Sequence, residues 1–113
     1  MITYQSSGGS ALEALGDPTR RAIFELLLTK PRPVRELADA LPVSRPAVSQ
    51  HLKVLKQSGL VIDRAEGTRR IYRVDPAGVT AMREYLDRMW DTALAAFAAV
   101  AEDEETTKKG QDG

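Results

Sequence analysis

The residues best suited to recognition chemistry lie on one predicted helix, residues 45–57. Plotted at 100° per residue, its polar side chains fall within an arc of about 140°. They are Arg45, Pro46, Ser49, Gln50, Lys53, Lys56 and Gln57. This arc contains no carboxylate, whereas an ordinary solvated helix face mixes both signs of charge. A face of this composition suits a groove lined by phosphates. The alternative is the solvent-facing helix of a domain that binds no nucleic acid.

The order of these side chains along the helix indicates separate roles. Arginine can donate two hydrogen bonds to guanine and glutamine can pair with adenine, which makes Arg45 and Gln50 candidate base readers. Ser49 can serve a base or a phosphate, and Pro46 can touch a thymine methyl group. Lys53 lies farther along the helix, as does Lys56, where phosphates are the expected partners.

A second basic group lies on two β-type runs around Glu66-Gly67, a hairpin signal. Its arginines are Arg64, Arg69, Arg70 and Arg73. A basic hairpin beside a recognition helix can grip backbone phosphate or enter the minor groove. Asp63 and Glu66 offer an alternative for each arginine, which is a structural ion pair.

The chain has few residues of the types that catalysis or metal binding requires. The chain has no cysteine, which excludes a disulfide scaffold, a thiolate metal site and a cysteine nucleophile. Its one histidine, His51, falls on the apolar side of the same helix, which favours a packed side chain over a catalytic one. We therefore expect no enzyme, no bound metal and no cofactor.

Length and charge point to one small domain with an uneven charge distribution. The 113 residues carry 16 basic and 16 acidic side chains. Residues 17–75 hold 12 Lys or Arg against 7 Asp or Glu, whereas residues 76–113 hold 4 against 8. Positive charge is thus gathered where it can meet a polyanion. The longest apolar run, residues 93–101, is about half of a membrane span, so we expect a soluble cytoplasmic protein with no membrane partner.

Helix caps and breakers predict the elements that position these residues. Asp17-Pro18, Ser44 and Asp75-Pro76 mark helix starts, and Gly59 marks a helix end. The predicted order is three helices, a tight turn, a fourth helix that completes a helix-turn-helix, a hairpin and a last helix reaching Val100. This is a mainly α fold with a small β-hairpin, a winged helix-turn-helix. Residues 11–100 form the domain, residues 1–10 a flexible arm and residues 101–113 a disordered tail.

The last helix carries a heptad-like apolar stripe, which predicts a homodimer formed through the terminal helices. The stripe consists of Val79, Met82, Leu86, Met89, Ala93, Ala96 and Val100, widened by Tyr85, Trp90, Leu94 and Phe97. Leu12 and Leu15 of the first helix are candidate partners in the same interface. The alternative is a broad face that covers only the domain's own core. A two-fold dimer would place two recognition helices about 34 Å apart, one DNA turn.

Four blocks of sequence resemble the ArsR family of winged-helix repressors over about residues 11–100. They are Leu15–Ile23, Val34–Ala38, Val43–Leu55 and Ser58–Val61. The resemblance implies a homodimeric bacterial regulator that binds a palindromic DNA operator, usually as a repressor of its own operon. It places base contacts on Ser44, Arg45, Pro46, Ser49 and Gln50, and wing contacts on Arg64, Thr68, Arg69 and Arg70.

The sequence departs from the metal-sensing members of that family. Residues 34–39 lack the thiolate pair of those members, and residues 76–100 lack their histidines. The chain therefore resembles the subgroup that senses no metal, and whether a small-molecule effector exists is left open. A protein of another class remains as the alternative, a winged-helix protein–protein interaction module without DNA binding.

Overall fold

The computed structural model describes residues 7–111, and their side chains up to residue 104. The helices are α1 (Ser7–Ala14), α2 (Pro18–Thr29), α3 (Val34–Ala40), α4 (Arg45–Gln57) and α5 (Pro76–Gln111), and the strands are β1 (Arg32–Pro33), β2 (Val61–Glu66) and β3 (Arg69–Val74). The sheet is antiparallel with strand order β1-β3-β2. This confirms the predicted winged helix-turn-helix and adds the short strand β1 to its hairpin.

Local caps fix where the helices begin. The Asp17 carboxylate accepts a hydrogen bond of 3.0 Å from the Arg20 amide, and Pro18 follows in the first turn. The Ser44 hydroxyl accepts one of 3.3 Å from the Ala47 amide and so starts α4 at Arg45. Each cap satisfies an amide that has no partner within its helix. These starts agree with the sequence prediction.

The core lies beneath α4 and holds residues from α1, α2, α3, α4 and β2. Its buried members are Ala11, Ala14, Ile23, Phe24, Leu27, Leu37, Val48, Leu52, Leu55, Leu60 and Val61. Three of them, Val48, Leu52 and Leu55, come from the apolar side of α4. Because that side is buried, the opposite, polar side of the helix must face outward. No helix in the part of the chain that the structure describes is long and apolar enough to cross a membrane.

Two glycines with positive φ lie at the end of α4 and in the turn of the wing. Gly59 has φ +83°, and beyond it the Leu60 amide donates a 3.0 Å hydrogen bond to the Leu55 carbonyl, which closes the helix. Gly67 has φ +62° at the first position of the two-residue turn between β2 and β3. Since β2 begins at Val61, the wing starts only a few residues after the recognition helix ends.

Both terminal segments differ from the prediction. The segment predicted as a flexible arm, residues 1–10, is helical from Ser7 onward, and Gly8 lies where α1 packs closely against α5. A Cβ on Gly8 would lie 2.6 Å from the Cβ of Tyr85. The last helix runs to Gln111 rather than Val100, so it continues through most of the segment for which the sequence predicted a disordered tail. No glycine or proline interrupts the sequence between residues 79 and 109, so nothing local ends the helix. Residues 1–6 and 112–113 lie outside the described part.

A further glycine seats α5 on the domain, and its replacement should destabilise the fold. A Cβ on Gly78 would lie 2.6 Å from the carbonyl carbon of Gly59 and 3.1 Å from the Cα of Leu60. Both neighbours are backbone atoms that cannot rotate away, so α5 would have to shift. We expect Gly78→Ala to lower the free energy of unfolding by about 1–3 kcal/mol, despite the better helix propensity of alanine.

Urea denaturation measures this effect against a control on the same helix. Thr80 is exposed, and Thr80→Ala should change the free energy of unfolding by less than about 0.5 kcal/mol. If Gly78→Ala were as stable as the parent chain, the close contact between α5 and the end of α4 would be wrong.

Candidate nucleic-acid interface

The outer face of α4 presents every residue that the sequence predicted for the recognition helix. Ser44, Arg45, Pro46, Ser49, Gln50, Lys53 and Lys56 are all exposed. Arg45 is the first residue of the helix and follows the four-residue turn from α3, so the basic start of α4 projects from the helix-turn-helix. Gln57 is also exposed, and no carboxylate interrupts the face.

His51 lies on the inner side of the same helix. It is half-buried, as expected for a packed histidine. The pKa of Asp17 lies below its ordinary value, chiefly because its carboxylate accepts the Arg20 amide hydrogen bond, and the charge of His51 contributes to the same lowering. Among residues 7–104, whose side chains the structure describes, no group of three His, Cys, Asp or Glu is arranged to hold a metal ion.

Asp63 on β2 links the recognition helix to the wing. One carboxylate oxygen lies 2.7 Å from Nζ of Lys56 on α4, and the other lies 2.8 Å from a guanidinium nitrogen of Arg70 on β3. The Asp63 side chain is only 7% exposed. Lys56, and secondly Arg70, hold the pKa of this carboxyl below its ordinary value, and Asp63 in turn raises the pKa of Arg70. Two predicted phosphate ligands are therefore already engaged within the chain.

The strand register divides the wing residues between two faces. Ala65 pairs with Arg70 and Asp63 with Tyr72, so these residues share the face that meets α4 through Lys56. Arg64, Arg69 and Arg73 belong to the opposite face, although Arg69, at the start of β3, also borders the surface shared with Arg70, and Thr68 is exposed in the turn. Arg64 pairs with Glu66 at 3.4 Å. Structural ion pairs, which the sequence left as an alternative for each arginine, thus hold two of the four.

One basic residue in this region was not predicted. Arg35, in the first turn of α3, borders a surface hollow of about 260 Å³ together with Arg45, Arg69 and Arg70. Pro33 and Val34 complete its lining. We call this site the arginine hollow. No local sequence pattern indicates this hollow, because its arginines lie on α3, α4 and β3.

The carboxylate of Asp63 should make stability depend on pH. Its folded pKa lies below the ordinary value of 3.8, so the stabilisation is fully present above that value and is lost as pH falls through the lower folded pKa. We expect Asp63→Asn to unfold about 1–2 kcal/mol more easily at pH 7. Below the folded pKa of Asp63, this difference from the parent should vanish.

Chemical denaturation of both chains between pH 7 and pH 2 measures this convergence. Glu66→Gln is the control, since Glu66 is exposed in its pair with Arg64 and should contribute little. A difference between Asp63→Asn and the parent that stayed constant over the whole range would contradict the ion-pair link.

The predicted dimer surface splits into two parts along α5. Val79 and Met82 pack against the domain's own core, as does Leu15 from the α1–α2 connection. From residue 86 onward the large apolar side chains are exposed, namely Leu86, Met89, Trp90, Leu94, Phe97 and Val100. Ala93 is also exposed, and Leu12 on α1 is 36% exposed. The first part of the stripe, up to Met82, therefore packs against the chain's own core, and the part from Leu86 onward is an uncovered apolar surface.

Comparison with known proteins agrees with this geometry. Residues 17–63 match the family model described as "Bacterial regulatory protein, arsR family". Over 104 residues the chain is 56% identical to the HTH-type transcriptional regulator Rv2034 of Mycobacterium tuberculosis, covering 92% of this chain and 96% of that relative.

Two solved structures resemble the whole winged domain. An ArsR-like transcriptional regulator from Rhodococcus sp. RHA1 is 35% identical, with a TM-score of 0.70 over 84% of this chain and 92% of that one. Mb0332 from Mycobacterium bovis, described as a homodimeric winged helix-turn-helix DNA-binding domain, is 29% identical, with a TM-score of 0.62 over 82% and 94%. Taken with the exposed basic face of α4 and the wing beside it, these similarities show that the chain belongs to the ArsR family of bacterial transcriptional regulators.

Proposed function

We propose that this chain is a sequence-specific repressor that binds a palindromic DNA operator as a homodimer. The observation that carries the proposal is the exposed face of α4, which has three basic side chains, two of them without an ion pair among the described residues, and no carboxylate. Phosphates and base edges are the partners that such a face fits. The homodimeric description of the Mycobacterium bovis relative supports the assembly.

Position along α4 assigns the contacts. Arg45 and Gln50 read base edges, Ser49 reads a base or holds a phosphate, and Pro46 lies against a thymine methyl group. Ser44, which caps the helix, lies at the same end. Lys53 meets phosphate, and Lys56 does so from its bridge with Asp63. The wing contributes Arg64, Thr68, Arg69 and Arg70, of which Arg69 has no ion pair among the described residues.

The dimer uses the apolar surface that the domain itself leaves open. Residues 86–100 span about 21 Å of helix, and Trp90 and Phe97 are 65% and 75% exposed. An apolar surface of this extent is characteristic of an interface. A second copy, with its own Leu12 and α5, covers it. A two-fold interface then presents the two recognition helices to two half-sites, and for that reason the operator is palindromic.

Repression follows when such a dimer occupies an operator that overlaps its own promoter. DNA binding in this proposal requires no metal, since the family positions that hold thiolates and histidines in metal sensors carry other residues here. A reporter gene placed under the control of the DNA upstream of this protein's own gene should be expressed more strongly when that gene is deleted.

Selection from a random duplex library tests the DNA-binding core of the proposal. We expect the purified chain to enrich one inverted repeat whose half-sites are centred about one helical turn apart. Enrichment of no sequence, with all duplexes retained equally, would favour the protein–protein interaction module instead.

A further inference from the structure

We infer that the arginine hollow holds one backbone phosphate of the bound DNA and that Arg35 is a ligand of that phosphate. The inference rests on the proposed DNA binding and adds a contact outside the recognition helix and the wing. Helix α3 is the first helix of the helix-turn-helix, which crosses the DNA backbone in proteins with this motif, and the inference assigns Arg35 as its specific phosphate ligand.

The fold brings the four arginines together from three directions. Strand β1 pairs with β3 through Arg32 with Tyr72 and Pro33 with Ile71, and α3 begins at the next residue. This places Arg35 beside the start of β3, where Arg69 and Arg70 stand. Helix α4 contributes its first residue, Arg45, to the same lining.

The charge of the hollow is largely uncompensated. Among the described residues, the ion pairs do not include Arg35, Arg45 or Arg69, and Arg70 shares its single carboxylate partner with Lys56. Positive charges that lie near one another raise each other's free energy. An anion placed among them removes this repulsion. Guanidinium groups match the oxygens of a phosphate with paired hydrogen bonds.

A neighbouring hollow shows why this one is favoured. It lies on the outer face of the wing, has a volume of about 330 Å³ and is lined by the basic residues Lys30, Arg64, Arg69 and Arg73. It also contains two carboxylates, Glu36 and Glu66, and Glu66 already pairs with Arg64. The arginine hollow contains no acidic side chain in its lining. It also lies between the start of α4 and the wing, where the DNA backbone beside the groove must pass.

Replacing Arg35 in the full-length chain tests the inference. The variant Arg35→Gln keeps the size and polarity of the side chain while removing its charge, and Arg35→Lys keeps the charge but not the paired geometry. Arg83→Gln, on the exposed side of α5, is the control for the loss of one positive charge. Affinity is measured for the selected operator and for a random duplex of equal length, at several salt concentrations.

A contact to phosphate has a distinct signature. We expect Arg35→Gln to lower the affinity for both duplexes by about tenfold for each protomer bound. The log–log slope of affinity against salt concentration should become shallower by about 0.9 for each protomer. Arg35→Lys should retain most of the salt slope. The melting temperature of the free Arg35→Gln protein should stay unchanged or rise, because Arg35 is exposed and repulsion in the hollow is relieved.

Methylphosphonate substitution, which neutralises one DNA phosphate at a time, identifies the partner atom. In the parent complex, one position in each half-site should lose affinity on substitution, and that loss should disappear in Arg35→Gln but persist in Arg83→Gln.

Parent-like affinity and slope for Arg35→Gln would overturn the inference while leaving the proposed function intact. So would a loss of affinity that is additive with every methylphosphonate. If inorganic phosphate bound to the hollow of the free chain while no methylphosphonate substitution showed a coupling with Arg35→Gln, the ligand of the hollow would be a free anion rather than a DNA phosphate. A parent chain that bound no duplex selectively would overturn both proposals.

Discussion

A chain that carries Met89→Glu together with Phe97→Glu is expected to be a monomer. Both side chains lie on the apolar surface of α5, where they are 50% and 75% exposed in the single chain. In a dimer they would be covered by the second copy, so each glutamate would be buried without a partner. That costs several kcal/mol at the interface. The fold of each protomer should survive, because neither residue belongs to the buried core.

The loss of the dimer should carry over to DNA. A dimer binds its second half-site at a high effective concentration, whereas a monomer binds each half-site alone, which lowers operator affinity by about 100-fold or more. Sedimentation velocity and operator titration measure the two effects on the same preparations. Adding a chelator should alter neither property, since the proposed dimer contains no metal.

A variant of matched charge separates the interface from the added negative charge. Ala95→Glu with Ala98→Glu places two glutamates on the side of α5 away from the stripe. This control should remain dimeric and keep most of its operator affinity. A parent chain that sedimented as a monomer, or a Met89/Phe97 double variant that stayed dimeric, would contradict the proposed interface.

Arg45→Ala is expected to change which DNA sequence the protein prefers. Arg45 is the first residue of α4, the end of a recognition helix that enters the major groove. Loss of a bidentate contact to guanine should cost about 1–3 kcal/mol in each half-site and relax preference at one base pair there. Lys53 lies eight residues later, about 12 Å along the helix axis. Lys53→Ala should therefore weaken binding to all sequences by a similar factor.

Competition with a set of single-base-pair variants of the operator distinguishes the two residues. The Arg45→Ala protein should bind the operator and one of these variants equally well, while the Lys53→Ala protein should rank all variants as the parent does. An unchanged ranking for Arg45→Ala would remove Arg45 from the base-reading residues.

The parts of the fold that depend on neighbouring residues could be predicted from the sequence. Asp17 and Ser44 cap their helices through side-chain bonds that span three residues, so the pattern alone places α2 and α4. The polar and apolar sides of α4 likewise follow from its own periodicity. Gly59 and Gly67 mark the end of α4 and the wing turn because their backbone needs positive φ.

Contacts between distant elements could not be predicted in this way. Arg35 and Arg69 are 34 positions apart in the sequence and share the arginine hollow only because β1 pairs with β3. Asp63 on β2 pairs with Lys56 on α4 and with Arg70 on β3. From the sequence, such ion pairs are only an alternative to phosphate binding by the wing arginines. The stripe on α5 has a single period, yet Met82 packs inward and Met89 stays exposed, because the domain ends before the helix does.

Titration of the purified chain against two duplexes of equal length and composition, one holding the selected inverted repeat and one with its bases scrambled, tests sequence-specific binding most directly. At physiological salt we expect the inverted repeat to bind at least about 10³-fold more tightly. Sedimentation of the complex should give two chains for each duplex. Equal affinity for both duplexes, or a single chain on the inverted repeat, would contradict a dimeric reader of DNA sequence.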